Sequence, residues 1–274
     1  MRHELTQQEI SSYRKNGFVI LDDFLDQDEL EHWRRSLDHA LKNRQGRKFP
    51  HSEIKTGESD GINDDAEYFG KVFDQIINLW MTDEAMKKIM LDKRIGKMAT
   101  QLAEADGIRI WHDQALVKRP WANPTSWHVD TPFWSFDNRE ALSIWVALDD
   151  VTLQNGCLYF MPGSQNDTNF DEPGITANMG DVFNLYPKYG TAEPVPSVIK
   201  AGSCSFHNGL CIHAAGPNMT PGFRRAMTCA YMPDGSTFNG KQNVLPDEYF
   251  AKLKVGDLMD NDEQNPLIYH KDWD

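Results

Sequence analysis

No run of 18 or more apolar residues occurs in this 274-residue chain, so a bilayer-spanning helix is not expected. The first ten residues, MRHELTQQEI, lack the apolar stretch of a secretory leader and read as mature structure. Cysteine is scarce. Cys157, Cys204, Cys211 and Cys229 are scattered, with no C-x-x-C pair. Reduced, mostly buried thiols in a reducing compartment are expected, and hence a cytoplasmic protein. Basic residues are outnumbered, 28 Lys and Arg against 41 Asp and Glu. The net charge of −13 disfavours nucleic-acid and anionic-membrane partners, since both reward a basic surface. The one dense basic cluster, Lys42, Arg44, Arg47 and Lys48, is too short to reverse that balance and reads as a solvated helix end. No repeat period or low-complexity tract occurs. What is present, 40% hydrophobic and 25% charged residues, is the profile of a globular protein, at a length that one large domain can fill.

Along the chain the texture divides in two. Thr6 with Glu9 makes a capping box before an apolar stripe that begins at Ile10 and Tyr13 and stops at Asn16-Gly17. Phe18-Val19-Ile20-Leu21 is a strand-type run. Asp26 with Glu29 then announces a helix carrying Leu30, Trp33, Leu37 and Leu41 at 3–4 spacing. Residues 44–66 are polar, with Gly46, Pro50, Gly57 and Gly61, and suggest a loop able to act as a lid. Apolar positions from Val72 to Leu102 predict further helix over about 71–105. After Gly107, short β-branched and aromatic runs alternate with Gly, Pro and Asn, at 108–118, 125–131, 141–149, 157–162, 181–186, 197–200, 203–207, 210–215 and 224–232. Many short strands separated by turns predict a sandwich, jelly roll or barrel. The expected fold is mostly β with flanking helices, a double-stranded β-helix (jelly roll, cupin-like) behind an N-terminal helical region. The expected organisation is a single domain over 1–274: helical support and lid in 1–106, the jelly-roll core in 107–233 and a polar tail in 234–274.

The chemistry concentrates at Trp127-His128-Val129-Asp130. Side chains alternate along a strand, so His128 and Asp130 share a face and could hold adjacent positions on one metal ion. His213, in the apolar run Ile212-His213-Ala214, offers a third ligand from another strand. Two histidines and one carboxylate on one face of a metal leave the opposite face open, as in non-haem iron(II) oxygenases. A His-x-Asp pair alone arises often by chance, and a lone histidine in an apolar run is more often a satisfied core residue. The position of both elements in the β-rich half strengthens the metal reading. Arg224 follows His213 by 11 residues at the start of another strand-like run. An arginine emerging into an apolar barrel needs an anion, and its planar fork matches a carboxylate.

These residues resemble the phytanoyl-CoA dioxygenase family of iron(II)/2-oxoglutarate oxygenases over nearly the whole chain. The matching stretches are GFVILDDFL, HDQALVKRP, WHVD, SIWVALDD followed by NGCLYFMPGS, and HNGLCIHAAGPNMTPGFRRAMTCAYMP. The resemblance implies that His128, Asp130 and His213 bind iron and that Arg224 pairs with the far carboxylate of 2-oxoglutarate. It further implies co-substrate roles for Lys71, Gln114 and Trp145. The sequence departs from the family at Val129, where glutamine is common, and at Ala215, where serine is common. His207 is a rival third ligand with poorer spacing to Arg224, and is read as supporting the site instead. No catalytic group beyond the metal ligands is expected.

The implied reaction converts 2-oxoglutarate and O2 to succinate and CO2 while a substrate C–H bond is oxidised, hydroxylation being the default. Halogenation is disfavoured because Asp130 is retained. Desaturation, cyclisation and epimerisation use the same ligands. The aromatic residues Trp127, Phe133, Trp134 and Phe136 are candidates for a substrate wall, with jelly-roll core as the plain alternative. No Gly-rich phosphate loop accompanies the basic cluster, so a free small molecule is expected in preference to a coenzyme A thioester. Two other classes stay open: a metal-binding jelly-roll sensor or binding module, which has no need of Arg224, and a zinc hydrolase, which lacks an evident general base.

Overall fold

A computed structural model describes residues 1–45, 47–50, 70–171 and 175–273. Helix α1 (Gln7–Asn16) begins as its sequence requires: Thr6 Oγ1 accepts the Glu9 N–H at 3.2 Å, and the Glu9 carboxylate accepts the Thr6 N–H at 2.8 Å. It stops at Gly17, whose φ of 81° only glycine adopts without strain. Strand β1 (Phe18–Leu21) follows, then α2 (Gln27–Arg44), capped by Asp26 and Glu29 in the same reciprocal way. Next come β2 (Asp74–Ile77), α3 (Glu84–Met90) and α4 (Lys93–Ala103). The β-rich half supplies β3 (Gly107–Lys118), β4 (Thr125–His128), β5 (Leu142–Ala147) and β6 (Leu158–Phe160). After α5 (Val182–Leu185) come β7 (Val195–Ser197), β8 (Cys204–Asn208), β9 (His213–Ala215) and β10 (Arg224–Pro233). The last elements are α6 (Asp247–Phe250) and β11 (Leu267–His270).

The strands form two antiparallel sheets. The larger runs β1-β8-β5-β10-β3-β11, with β2 also paired to β3; the smaller runs β4-β9-β6-β7. Period-2 alternation assigns each large-sheet residue to one of two cores. Ile144 and Val146 pack outward with Trp33, Leu37, Met98 and Leu102 of the helices. Trp145 and Ala147 pack inward with Leu158, Phe160 and Ala215 of the small sheet. The fold is therefore the jelly roll that the strand pattern predicts, with helices backing the outer face of the large sheet.

Four expectations need correction. Residues 74–77 form a strand, not helix, because they pair with β3 (Gln75 opposite Leu116, Ile77 opposite Gln114) and Asn78 turns away at φ 58°. Tertiary pairing here overrides an apolar run that fits either period. Residues 182–185 form a helical turn instead of a strand, and Val182 packs with Val129 and Ile212 on the outer face of the small sheet. The stretch 234–274 is not merely a tail: β11 pairs with β3, and Arg109 is held by Asp234 at 2.5 Å and Asp262 at 2.7 Å. Nor is Arg44 solvated. It is buried, donating to the carbonyls of Lys48 and Ile77. Of the expected lid at 44–66, residues 46 and 51–66 lie outside the described residues. No helix among the described residues is long and apolar enough to cross a membrane.

Asp113 ties this frame together. Fully buried on β3, it accepts the N–H groups of Leu79 (2.9 Å) and Trp80 (2.8 Å), which open the single turn 79–81. Burial pushes its carboxyl up to about 6, against the pull of those two hydrogen bonds and of Arg44. A carboxyl whose folded value lies above its unfolded one contributes stability that is complete below about 4 and lost as pH rises through about 6. The difference in unfolding free energy between wild type and Asp113→Asn is therefore expected to fall by on the order of 3 kcal/mol from pH 4 to pH 7, read by urea denaturation. A pH-independent difference would contradict this assignment.

Candidate metal centre

Strands β4 and β9 pair so that His128 lies opposite His213 and Thr125 opposite Ala215. Three steps along one strand thus match two along the other, which is a β-bulge. The two imidazoles lie with ring centroids 4.2 Å apart. Asp130 falls just past the end of β4, not on it. What aims it is the carbonyl of Gly209, which accepts the N–H groups of Asp130 (2.8 Å) and Thr131 (3.0 Å). A Cβ at residue 209 would stand 2.0 Å from Thr131 Oγ1, so this approach requires glycine. Asp130 Oδ1 lies 3.4 Å from His128 Nε2 and 3.7 Å from His213 Nε2, and the potential ligand atoms of all three residues fall within 4.8 Å of one another.

The protonation pattern suits a cation. His128 Nδ1 faces the Ser126 carbonyl at 2.8 Å, and His213 Nδ1 faces that of Cys211 at 3.0 Å. A carbonyl only accepts, so each Nδ1 carries the proton and each Nε2 presents a lone pair toward Asp130. Burial, helped by His128 and His207, pushes His213 down to about 3, keeping it neutral. His207, on β8 of the opposite sheet, places Nε2 3.3 Å from Asp130 Oδ2. It therefore engages the oxygen that the other two histidines leave, and stands outside the three-residue cluster.

These groups line a cavity of about 830 Å³ between the sheets. Arg224 reaches into it from β10, 1% exposed, with Nε and Nη1 lacking any hydrogen-bond partner. Its guanidinium lies 5.0 Å over the Trp145 ring, and burial lowers it to about 10, opposed by Asp149. A buried, unpartnered guanidinium in a cavity is a site for a carboxylate, which the fork can bind bidentately.

Of the sequence-derived candidates, the structure brings His128, Asp130, His213, Arg224, Trp145 and Gln114 to this one cavity. The Gln114 amide oxygen accepts from Gln75 Nε2. Lys71 is exposed beside the lining residues Gly70 and Val72 and does not itself line the cavity. The four proposed substrate aromatics are elsewhere. Trp127 packs on Tyr159 and Phe183 outside the small sheet. Trp134 and Phe136 are buried with Trp111 and Met232, and Phe133 sits half-buried in the turn after Asp130. Strand alternation explains the first case: Trp127 adjoins His128 on β4 and therefore takes the opposite face. Lining residues that sequence reasoning missed include Lys48, Val72, Phe73, Gln75, Thr125 and Ile175. Most come from segments read as helix or loop, where no periodicity marks a cavity wall.

A family model described as phytanoyl-CoA dioxygenase (PhyH) matches residues 13–226. A zebrafish (Danio rerio) phytanoyl-CoA dioxygenase domain-containing protein 1 is 23% identical over 88% of this chain and 94% of its own length. Among solved structures, the non-haem α-ketoglutarate-dependent carbocyclase SnoK from nogalamycin biosynthesis has a TM-score of 0.76 at 24% identity, covering 97% of each chain. EctD from S. alaskensis, crystallised with 2-oxoglutarate and 5-hydroxyectoine, has a TM-score of 0.70 at 18% identity, covering 92% of this chain and 85% of its own.

Proposed function

The chain belongs to the phytanoyl-CoA dioxygenase family, and from that premise we propose that it hydroxylates a C–H bond of a small organic metabolite. Its class is that of the 2-oxoglutarate-dependent non-haem iron oxygenases, with iron(II), 2-oxoglutarate and O2 as reactants and helpers. The observation that carries the proposal is the meeting, in one cavity, of the His128, Asp130 and His213 donors with the unpartnered Arg224. A metal-binding sensor or a zinc hydrolase has no use for a buried cation that is costly to leave unpaired.

Two imidazoles and one carboxylate suit iron(II) and leave positions free for O2 and a chelating co-substrate. When bound, iron(II) supplies the chemistry that couples conversion of 2-oxoglutarate and O2 into succinate and CO2 to oxidation of the substrate. The chain's own residues do the holding. His128, Asp130 and His213 ligate; the Ser126 and Cys211 carbonyls fix the tautomers; His207 steadies the second Asp130 oxygen; Arg224, stacked on Trp145, takes the far carboxylate of 2-oxoglutarate. Leu41, Val72, Phe73 and Ile175 give the remaining wall an apolar character that suits a substrate with an apolar portion and excludes water.

A free molecule fits better than a coenzyme A thioester. Besides Arg224, the described Lys and Arg residues of the lining are Lys48 and Arg119, and Arg119 pairs with Asp74 at 2.8 Å. That leaves little to meet several phosphates. The four cysteines are buried and free, consistent with a cytoplasmic setting, and the pairing of β11 with β3 supports one oxygenase domain over 1–274. The test is iron- and oxygen-dependent succinate release across a panel of small metabolites and matched thioesters, with the product's mass recorded. One added oxygen is expected; loss of two hydrogens would indicate desaturation or ring closure, and unchanged mass epimerisation. Failure of every addition to release succinate above the uncoupled background would count against the reading.

A further inference from the structure

Large apolar side chains are exposed unevenly over the surface. Trp121 (65%), Leu153 (56%), Met219 (62%) and Phe223 (59%) are each more than half exposed, and they come from three loops, 119–124, 152–156 and 218–223. Hydrogen bonds tie those loops together. Asn218, fully buried, donates its N–H to the Ala122 carbonyl (2.9 Å) and its side-chain amide to the carbonyls of Arg119 (2.9 Å) and Gly222 (2.7 Å). Met219 donates to the Gln154 carbonyl at 2.7 Å. Each exposed side chain thus belongs to this knot or adjoins a member of it. Apolar residues gathered in this way, unlike ones scattered singly, mark a place of interaction. Trp121 also holds a φ of 62°, a left-handed conformation that bulky residues rarely adopt. The N–H groups of Ala122 (to Arg119, 3.3 Å) and Asn123 (to Lys71, 2.7 Å) fix it there. Strain kept on an exposed tryptophan serves no packing, and such strain gathers at functional positions.

The chemistry of the three loops says what they face. In a chain with 41 acidic residues they hold none, and Arg119 is their sole charge. Acidic side chains close to them are matched: Asp74 by Arg119 (2.8 Å), and Asp149 and Asp150, which precede the second loop, by Arg225 (2.8 Å) and Lys200 (2.9 Å). Polar groups of the loops are spent inward. Asn155 Oδ1 accepts the Thr152 N–H at 2.8 Å, and Asn218 Oδ1 accepts that of Thr220 at 3.1 Å. Pro120, Pro124 and Pro221 have no N–H to offer. A protein partner is ordinarily met with about one hydrogen bond per 100–200 Å² of interface, which this surface is poorly equipped to supply. A lipid–water interface asks for none, favours backbone groups satisfied within the protein, and takes up tryptophan readily. The net charge of −13 selects zwitterionic over anionic headgroups.

We propose that loops 119–124, 152–156 and 218–223 form a docking face for a zwitterionic lipid surface, with Trp121, Leu153, Met219 and Phe223 entering the headgroup region. The face adjoins the cavity. Arg119 opens the first loop, Thr125 follows it and Arg224 follows the third, and all three line the cavity. Docking therefore brings that side of the cavity to the lipid, where a molecule with an apolar portion can enter without crossing bulk water. The docking face itself does not depend on the oxygenase reading.

The experiment is co-sedimentation of the 274-residue chain with phosphatidylcholine vesicles, for wild type, Trp121→Ser, Phe223→Ser and Trp273→Ser. Trp273, 47% exposed and outside the three loops, is the control. Wild type is expected to partition onto the vesicles. Trp121→Ser and Phe223→Ser should each lower the partition coefficient roughly tenfold, the low end for losing burial of one large apolar side chain. Trp273→Ser should match wild type, and Trp121→Phe, which keeps an apolar ring, should stay within about threefold of it. Far-UV circular dichroism checks the fold of each variant, and sedimentation velocity without lipid reads self-association. Wild type left in the supernatant, equal losses in Trp121→Ser and Trp273→Ser, or binding that requires phosphatidylserine and ignores Trp121→Ser would overturn the inference. So would a concentration-dependent dimer abolished by Trp121→Ser, which would assign the face to a second copy of the chain.

Discussion

Replacing Arg224 with alanine is expected to weaken 2-oxoglutarate binding by about 2–5 kcal/mol, the range for truncating one partner of a buried charge pair. That is roughly 30-fold to several thousand-fold in dissociation constant. The reason is local. Arg224 is 1% exposed, and among the described residues no carboxylate hydrogen-bonds to its Nε or Nη1. On the proposed reading its partner is the incoming co-substrate carboxylate, and the alanine variant takes away that anion's main counter-charge. Iron affinity should change by no more than a few-fold, because Arg224 is not one of the three clustered donors. Parallel titrations of metal and co-substrate separate the two effects. An unchanged 2-oxoglutarate affinity would remove Arg224 from the site.

The second large effect is expected at His213. Alanine there removes one of three donors and leaves His128 and Asp130 as a two-point site. Iron(II) affinity should drop by at least about 100-fold, since losing even an outer hydrogen-bond partner of a ligand costs 10–100-fold. Succinate release should fall below detection. Far-UV circular dichroism should stay near wild type, because His213 ends in the cavity and not in the helix-backed core. The same substitution at His207 is expected to be milder, as His207 touches Asp130 Oδ2 without joining the cluster. Equal losses at both positions would mean that His207 is a ligand.

The parts of the structure legible in the sequence are those set by local rules. The caps at Thr6 and Asp26 and the stop at Gly17 are chemistry within four residues, and each is found where it reads. Trp145 lines the cavity on the face of β5 opposite Ile144, a candidate that the family resemblance supplied and not the local pattern. The metal cluster is legible because three rare donors fall in β-type surroundings. Its geometry is not, since Asp130 lies beyond the strand and depends on the Gly209 carbonyl, 79 positions further along the sequence. Strand β2 and the helical turn at 182–185 escaped because a stretch of four residues fits either period, and pairing with β3 or packing on Val129 decides. The substrate aromatics failed because nearness along the chain is not a shared face: Trp127 alternates away from His128, whereas the bulge, a long-range register event, brings Thr125 in.

The central claim is that His128, Asp130 and His213 hold iron(II) while Arg224 orients 2-oxoglutarate against it. The most direct measurement is anaerobic addition of 2-oxoglutarate to the iron(II)-loaded protein, followed by visible absorption for the charge-transfer band of a chelated 2-oxo acid. Wild type should develop the band saturably, at one equivalent of iron per chain; His213→Ala should develop none, and Arg224→Ala only at far higher 2-oxoglutarate. A wild-type protein that binds iron(II) yet shows no band at any concentration, or a His213→Ala protein that shows the full band, would contradict the account.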